Sequence, residues 1–242
     1  MESFEAPAHG YRNKILQRLS AESISRLKLR PVELAVERPL EQSQQAIGHL
    51  YFIESGVGSM TTTFKDGGQV EVGLFGNESV IGVSGFMGVK RSLNRIYMQM
   101  PGSGYACRMD LAEAEFHRGD EFQRLALRYV QMQLTQATQS AGCNAVHEIT
   151  QRLARWILLC SDRSGLNEMA LSQEFLAMML GVRRTTVSAM MSSFKERGLL
   201  TYTRSNIRLL DRPALEAQAC ECYAVLRDHL ENYLEFDTGF SV

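Results

Sequence analysis

No run of about 18 consecutive apolar residues occurs in this chain, which excludes a transmembrane helix. The first residues, Met1-Glu2-Ser3-Phe4-Glu5, are acidic and have no apolar stretch behind them. That is not a secretory signal, and the expected location is the cytoplasm, with no membrane partner. Excess charge of either sign is also missing. The net charge is −1, which argues against a protein that coats nucleic acid indiscriminately. Cysteines are few and odd in number: Cys107, Cys143, Cys160, Cys220 and Cys222. In a cytoplasmic protein they are expected to be reduced and packed. Cys220-Glu221-Cys222 cannot present both thiols on one face of a helix, and with His229 beyond them the spacing matches no common zinc pattern. No metal site and no cofactor are therefore expected. His9, His49, His117, His147 and His229 are scattered, without a nucleophile motif or a phosphate loop. No catalytic residue is assigned, and an enzyme is not expected. Internal repeats and low-complexity segments are absent as well.

What is present is an ordinary globular composition, 45% apolar and 22% charged, in 242 residues. That suffices for one large or two modest domains. The most informative stretch is 168–210, which reads as a winged helix-turn-helix. Within Leu171–Met190, Gly181 supplies a turn where φ > 0 is needed, and Ala177 is small where two helices must cross. Leu176, Leu180, Val182, Val187 and Met190 fall at the three- and four-residue spacing of a buried stripe. The outward face of the second helix carries Arg183, Arg184, Thr185, Thr186 and Ser188, continuing to Ser192. Cations and hydroxyls there suit phosphates and base edges in a major groove. Ser172 and Gln173, at the start of the first helix, join this DNA-binding set. Lys195-Glu196-Arg197-Gly198 then ends the second helix with cations and a C-cap glycine. Leu199–Thr203 and Ile207–Leu210 form a hairpin whose tip, Arg204-Ser205-Asn206, can lay Arg204 on a phosphate. Between Arg163 and Arg212 the bases are Arg163, Arg183, Arg184, Lys195, Arg197, Arg204, Arg208 and Arg212. The acids are Glu168, Glu174, Glu196 and Asp211, so the local surplus is four.

Upstream, residues 13–30 read as one or two short helices, with Ser20 an N-cap. From Pro31 the pattern alternates. Strands are expected around Val32–Val36, Leu50–Ile53, Val57–Thr61, Val70–Leu74, Val80–Ile81, Ile96–Met100 and Tyr105–Met109, with Asp66-Gly67-Gly68 a hairpin turn. Many short strands at short intervals suggest a compact barrel or roll. Asp120–Ala141 contains no glycine or proline and reads as a long helix. Leu125, Tyr129, Met132, Gln136, Gln139 and Cys143 recur on it at close to 3.5 residues, which suits a dimerising coiled coil. Burial of that seam against the chain's own roll is the alternative. Gly142 is a candidate hinge, and another helix is expected from Val146 to Cys160, ending at Asp162–Gly165.

A roll, a long connecting helix and a winged helix-turn-helix, in this order and with these residues, resemble the Crp–Fnr family of bacterial transcription regulators. The resemblance spans nearly the whole chain and is strongest over Leu171–Asp211. It implies an α+β fold: an N-terminal β-roll (a double-stranded β-helix, cyclic-nucleotide-binding-like) at 1–119, a dimerisation helix at 120–146, and a winged helix-turn-helix domain at 147–242. It implies a homodimer that binds double-stranded DNA, with RNA polymerase as a partner and a small-molecule effector at the roll. Where the family's recognition helix reads Arg-Glu-Thr-Val-x-Arg, this chain has Arg184-Thr185-Thr186-Val187-Ser188-Ala189. Thr185 and Ala189 thus replace the two best-known base readers, and a different operator should follow. Ala189 can touch a thymine methyl but cannot hydrogen-bond guanine. In the roll, the effector pocket by resemblance comprises Gly82, Val83, Ser84, Arg91 and Ser92. Val83 stands where cyclic-nucleotide binders place a glutamate for the ribose, so cyclic nucleotide binding is not expected. The first cysteine is Cys107, so the family's N-terminal iron–sulfur ligands are missing too, and no haem site is indicated. The competing function is a small-molecule sensor acting mainly through protein contacts. Arg183, Arg184, Arg197 and Arg204 weigh against it, since a packing remnant has no need of them.

Overall fold

Short alternating strands separated by turns can bury one face each only by closing against a second layer, and the first half of the chain does this. The computed structural model describes residues 10–36, 38–65 and 67–234. Asp66 of the expected hairpin turn, the Met1–Glu5 segment and His9 lie outside the described residues. A 3₁₀ turn at Leu16–Arg18 precedes α1 (Ala21–Leu27), and the Ser20 hydroxyl caps α1 by accepting from Ser23 N, as its sequence position predicts. The strands are β1 (Arg30–Leu34), β2 (Pro39–Glu41), β3 (His49–Ile53), β4 (Val57–Thr63), β5 (Gln69–Phe75), β6 (Val80–Ile81), β7 (Arg95–Met100) and β8 (Gly102–Arg108). They form two four-stranded sheets, ordered β1-β8-β3-β6 and β2-β7-β4-β5. Successive strands from β1 to β4 alternate between the sheets, and β5 to β8 return beside them, which is the double-stranded β-helix expected. The three-residue β2 is too short to read from sequence, and its Pro39 is tolerated because β2 is an edge strand. At the sheets' inner faces Leu34, Ile53, Phe75, Ile81, Ile96 and Met98 form one apolar cluster. Gly102 is required where β8 begins: a Cβ there would sit 1.9 Å from the Ser55 carbonyl oxygen.

Met109 opens a helix, α2 (Met109–Phe116), where sequence reading places the end of a strand. Then α3 (Glu121–Val146) runs for 26 residues and passes through Gly142 unbroken, so Gly142 is not a hinge in the helix. The seam expected to pair with a second chain is turned inward. Leu125, Tyr129 and Met132 belong to the core beneath β3 and β8, together with Leu50, Phe52 and Tyr105. Further along, buried Gln136 accepts a hydrogen bond from Arg163 Nη2, and Gln139 donates to Cys222. An aromatic or apolar side chain gains as much from its own roll as from a partner helix, and heptad spacing cannot tell the two apart. The exposed positions of α3 include Leu127, Gln131, Leu134, Thr138, Ala141 and Ala145, which also repeat at four and three residues and carry no charge.

The chain divides into two compact units. The first holds the chain up to Met60, Leu74–Leu134 and the chain from Leu230. The second holds Thr61–Gly73 and Thr135–His229. In the second, α4 (Ile149–Ser164) starts with a capping box between Glu148 and Gln151 and stops at Gly165, and β9 (Glu168–Met169) follows. Next come α5 (Gln173–Leu180), α6 (Arg184–Glu196), β10 (Leu200–Tyr202), β11 (Ile207–Leu209), α7 (Arg212–Glu216) and α8 (Cys222–Asn232). Trp156 Nε1 on α4 donates to Glu71 Oε1 at 2.6 Å, which ties the distal part of the β4–β5 hairpin into this unit. Among the described residues no helix is long and apolar enough to cross a membrane.

Candidate nucleic-acid interface

The turn between α5 and α6 is set by Gly181, which caps α5 at φ +66° and donates back to the Ala177 and Met178 carbonyls. That left-handed position is open to glycine at little cost and to few other residues. Leu176, Ala177, Leu180, Val187 and Met190 are buried as the stripe requires, while Val182 at the turn is only half-buried. Met191 and Phe194 complete the inward face of α6. Ser172 caps α5 by accepting from Phe175 N at 3.1 Å. Arg183 stands at the N-cap of α6 and makes no side-chain cap, so no capping side chain occupies the helix start, where Arg183, Arg184 and Thr185 are all exposed. A helix N-terminus with free amides and added cations is a ready receptor for phosphate.

The wing forms as expected, with Leu200 opposite Leu209 and Tyr202 opposite Ile207. Sequence reading missed its third strand: β9 pairs with β11, and Asn206 at the tip hydrogen-bonds Glu168. Two contacts fix the wing to α6. Ser192 Oγ and Tyr202 OH lie 3.2 Å apart, and Lys195 Nζ sits over the Tyr202 ring at 5.6 Å. Ser192 is therefore spent on the wing. A cleft of about 510 Å³ opens between these elements, lined by Ser172, Gln173, Glu174, Arg184, Tyr202, Thr203, Arg204 and Ser205. The structure thus brings Ser172, Gln173, Arg184 and Arg204 together. Thr185, Thr186 and Ser188 follow along α6, with Thr185 exposed and the other two half-exposed. Tyr202, Thr203 and Ser205 were not singled out from sequence, because only the pairing of β10 with β11 carries them to the cleft.

Not every cation of the local surplus is at this face. Arg163 is buried, donating to Gln136 Oε1 and the Leu159 carbonyl. Arg212 is held by Asp162, Glu216 and the Tyr223 hydroxyl. Arg197 follows the far end of α6, about 20 Å along the helix from Arg184, and donates to Gln218 at 2.8 Å. Arg197 therefore does not join Arg184 and Arg204.

A helix-turn-helix of this geometry has a match in sequence. Residues 151–218 match the Crp-like helix-turn-helix domain. The chain thus carries a Crp-like helix-turn-helix domain. No curated protein matches the chain significantly by sequence. Among solved structures, FixK2 from Bradyrhizobium japonicum superposes with a TM-score of 0.69 at 16% identity, covering 80% of this chain and 98% of its own. A regulator of the Crp/Fnr family from Eubacterium rectale gives 0.68 at 14%, covering 85% and 97%. The c-di-GMP-responsive regulator CLP from Xanthomonas campestris gives 0.65 at 16%, covering 78% and 99%. At these identities the likeness is one of fold.

The roll of this chain fills part of its own expected effector pocket. Gly82 is buried at φ +102°, and a Cβ there would meet the His49 carbonyl oxygen at 2.5 Å. The buried Glu41 carboxyl is hydrogen-bonded by the Ser92 hydroxyl and the Gly82 backbone, and burial raises its pKa above the ordinary value despite those bonds. Val83 packs on the core beneath β3, and Ser84 accepts from Met87 N and Val89 N in a tight turn. Arg91 is exposed and donates to the Gln44 carbonyl at 2.7 Å. Gly82 and Ser92 are thus brought together around a carboxylate, and Arg91 is not with them.

The cysteines require a correction. Cys220 precedes α8 and Cys222 opens it, so the two are not bound to one helical spacing, and their thiols turn to the same point. There they meet Cys143 of α3 and His147 just beyond its end, with the four ligand atoms within 4.8 Å of one another. Sequence reading failed here because the four residues come from segments some 75 positions apart. His229 is not among them.

Proposed function

We propose that this chain is a homodimeric, sequence-specific DNA-binding transcription regulator in which α6 enters the major groove. The observation that carries the proposal is the shared cleft of Arg184 and Arg204 beside the uncapped start of α6. In this reading Arg183, Arg204, Ser172 and Gln173 hold phosphates on either side of the groove, and Arg184, Thr185, Thr186 and Ser188 face base edges. Glu174 in the same cleft repels misplaced phosphate and can accept from a cytosine amine. Dimerisation runs along the exposed face of α3 through Leu127, Leu134 and Ala141, instead of through Met132. RNA polymerase is the partner the reading implies. The roll answers to something other than a cyclic nucleotide, because Val83 stands where a ribose-binding glutamate would be needed and Arg91 is turned to the Gln44 carbonyl.

Selection of bound duplexes from a random pool tests the proposal. The expected result is a near-palindromic motif with half-sites roughly one helical turn apart, lost or relaxed at one base position in Arg184→Ala. A pool that enriches no motif would overturn sequence-specific binding.

A further inference from the structure

Three thiols and an imidazole that the DNA-binding face does not use converge between α3 and α8. Cys143 lies in the last turn of α3, and His147 directly follows the helix, its N–H bonded to the Cys143 carbonyl one turn back. Cys220 and Cys222 reach them from the other end of the helix-turn-helix domain. Cys143 Sγ lies 3.5 Å from Cys220 Sγ, and Cys222 Sγ lies 3.6 Å from His147 Nδ1. A tetrahedral zinc centre, with Zn–S near 2.3 Å and Zn–N near 2.0–2.1 Å, has S···S edges of about 3.8 Å and S···N edges of about 3.6 Å. The side chains already stand at ligand spacing. We propose that Cys143, His147, Cys220 and Cys222 form a closed tetrahedral site for one zinc-class divalent cation, which clips the helix entering the helix-turn-helix domain to the helix leaving it.

The surroundings fit that centre. His147 Nε2 is 3.1 Å from Glu221 Oε1, so the carboxylate takes the ring N–H and leaves the Nδ1 lone pair toward the sulfurs. Gln139 Nε2 donates to Cys222 Sγ at 3.0 Å, which fixes the sulfur's orientation. All three cysteines are buried. Three thiolates, a neutral imidazole and a dication sum to −1. Arg155 supplies the opposite charge: it is 6% exposed, acts electrostatically on Cys143 and Cys220, has an Nε without a hydrogen-bond partner, and pairs with no carboxylate among the described residues. A buried guanidinium with no anion is costly, and the metal–thiolate centre removes that cost. Binding converts three thiols to thiolates and releases three protons to solvent.

Ligand atoms this close surround a single ion and leave no room among them for an iron–sulfur cluster body. Four protein ligands leave no open position, so the site is structural. A Cys143–Cys220 disulfide would leave the Glu221–His147 and Gln139–Cys222 contacts without a purpose. The clip closes a loop containing all of residues 151–218, the matched domain. It requires no DNA, so its test is independent of the DNA-binding proposal.

The full chain is purified anaerobically without chelator and without metal-affinity resin, and zinc and free thiols are counted by elemental analysis and thiol titration. About one zinc per chain is expected. Cobalt(II) added to the metal-free protein should give the intense visible bands of a tetrahedral ion and a thiolate charge-transfer band in the near ultraviolet. Cys220→Ser should abolish both. Glu221→Gln should weaken metal affinity about 10–100-fold with an unchanged circular dichroism spectrum, and this variant decides the matter if Cys220→Ser fails to fold. Cys107→Ser, outside the cluster, should keep the metal. A folded protein that takes up neither zinc nor cobalt would overturn the proposal, as would unchanged metal content in Cys220→Ser or an anaerobically isolated Cys143–Cys220 disulfide.

Discussion

Arg184 and Arg204 line the same cleft yet are expected to behave differently when removed. In the proposed complex Arg184, in the first turn of α6, faces base edges, so Arg184→Ala should cost about 1–3 kcal/mol on the selected operator and relax one position. Arg204 sits on the wing and in the same proposal holds a phosphate, so Arg204→Ala should weaken all sequences alike and reduce the salt slope by about one. Fluorescence anisotropy on specific and random duplexes at several salt concentrations separates the two; equal loss on both duplexes for Arg184→Ala would make it a phosphate contact. Arg184 and its neighbours were legible in sequence because a cation at the start of an exposed helix face has few structural uses. Tyr202 was not, since its role depends on Ser192 and Lys195 arriving from another element. Glu41 gives a second prediction. Its folded pKa is raised, chiefly by burial, so its contribution to stability is fully present below the unfolded value and is lost as pH rises through the folded value. Glu41→Gln should therefore flatten the pH dependence of Tm in that window. An unchanged profile would show that the carboxyl is not buried in solution.

At the scale of the element, α3 carries two stripes of the same period. One holds Leu125, Tyr129, Met132 and Gln136, which the chain buries itself; the other holds Leu127, Leu134 and Ala141, which it leaves exposed. Charge therefore acts oppositely on the two faces. Leu134→Glu should yield folded monomers in sedimentation velocity. Met132→Glu should lower stability on the order of 4 kcal/mol by placing an unpaired charge in the core. Dimers that persist in both Leu127→Glu and Leu134→Glu would remove the exposed stripe from the interface. Periodicity identified the helix but not which stripe faces inward, because heptad spacing reports a seam and is silent on what covers it. Short elements escaped for a related reason. β2, β9 and α2 have three, two and eight residues, too few for a period to emerge.

For the molecule as a whole, a two-fold dimer of winged helix-turn-helix domains binds half-sites whose centres are separated by one turn of DNA, so inserting about five base pairs between them should abolish tight binding by putting the second half-site on the opposite face of the duplex. A footprint that tolerates the insertion would mean the two domains bind independently. In the roll, with Glu41 held by Ser92 and Gly82, cyclic AMP at physiological concentration should leave Tm unchanged. A clear rise would mean that the carboxyl moves aside for a phosphate.

The sequence by itself determined the order of roll, long helix and winged helix-turn-helix, the turn at Gly181 and the cations at the start of α6. Each of these is written in local signals: alternation, helical period, a glycine at a left-handed position, a cap. Only the tertiary structure decided which stripe of α3 is core, that Arg163 and Arg212 are spent on internal partners, that a carboxylate stands between Gly82 and Ser92, and that four sulfur and nitrogen atoms meet between α3 and α8. These are contacts between residues tens of positions apart. No local pattern encodes them, because they are selected by how whole elements bury their surfaces against one another.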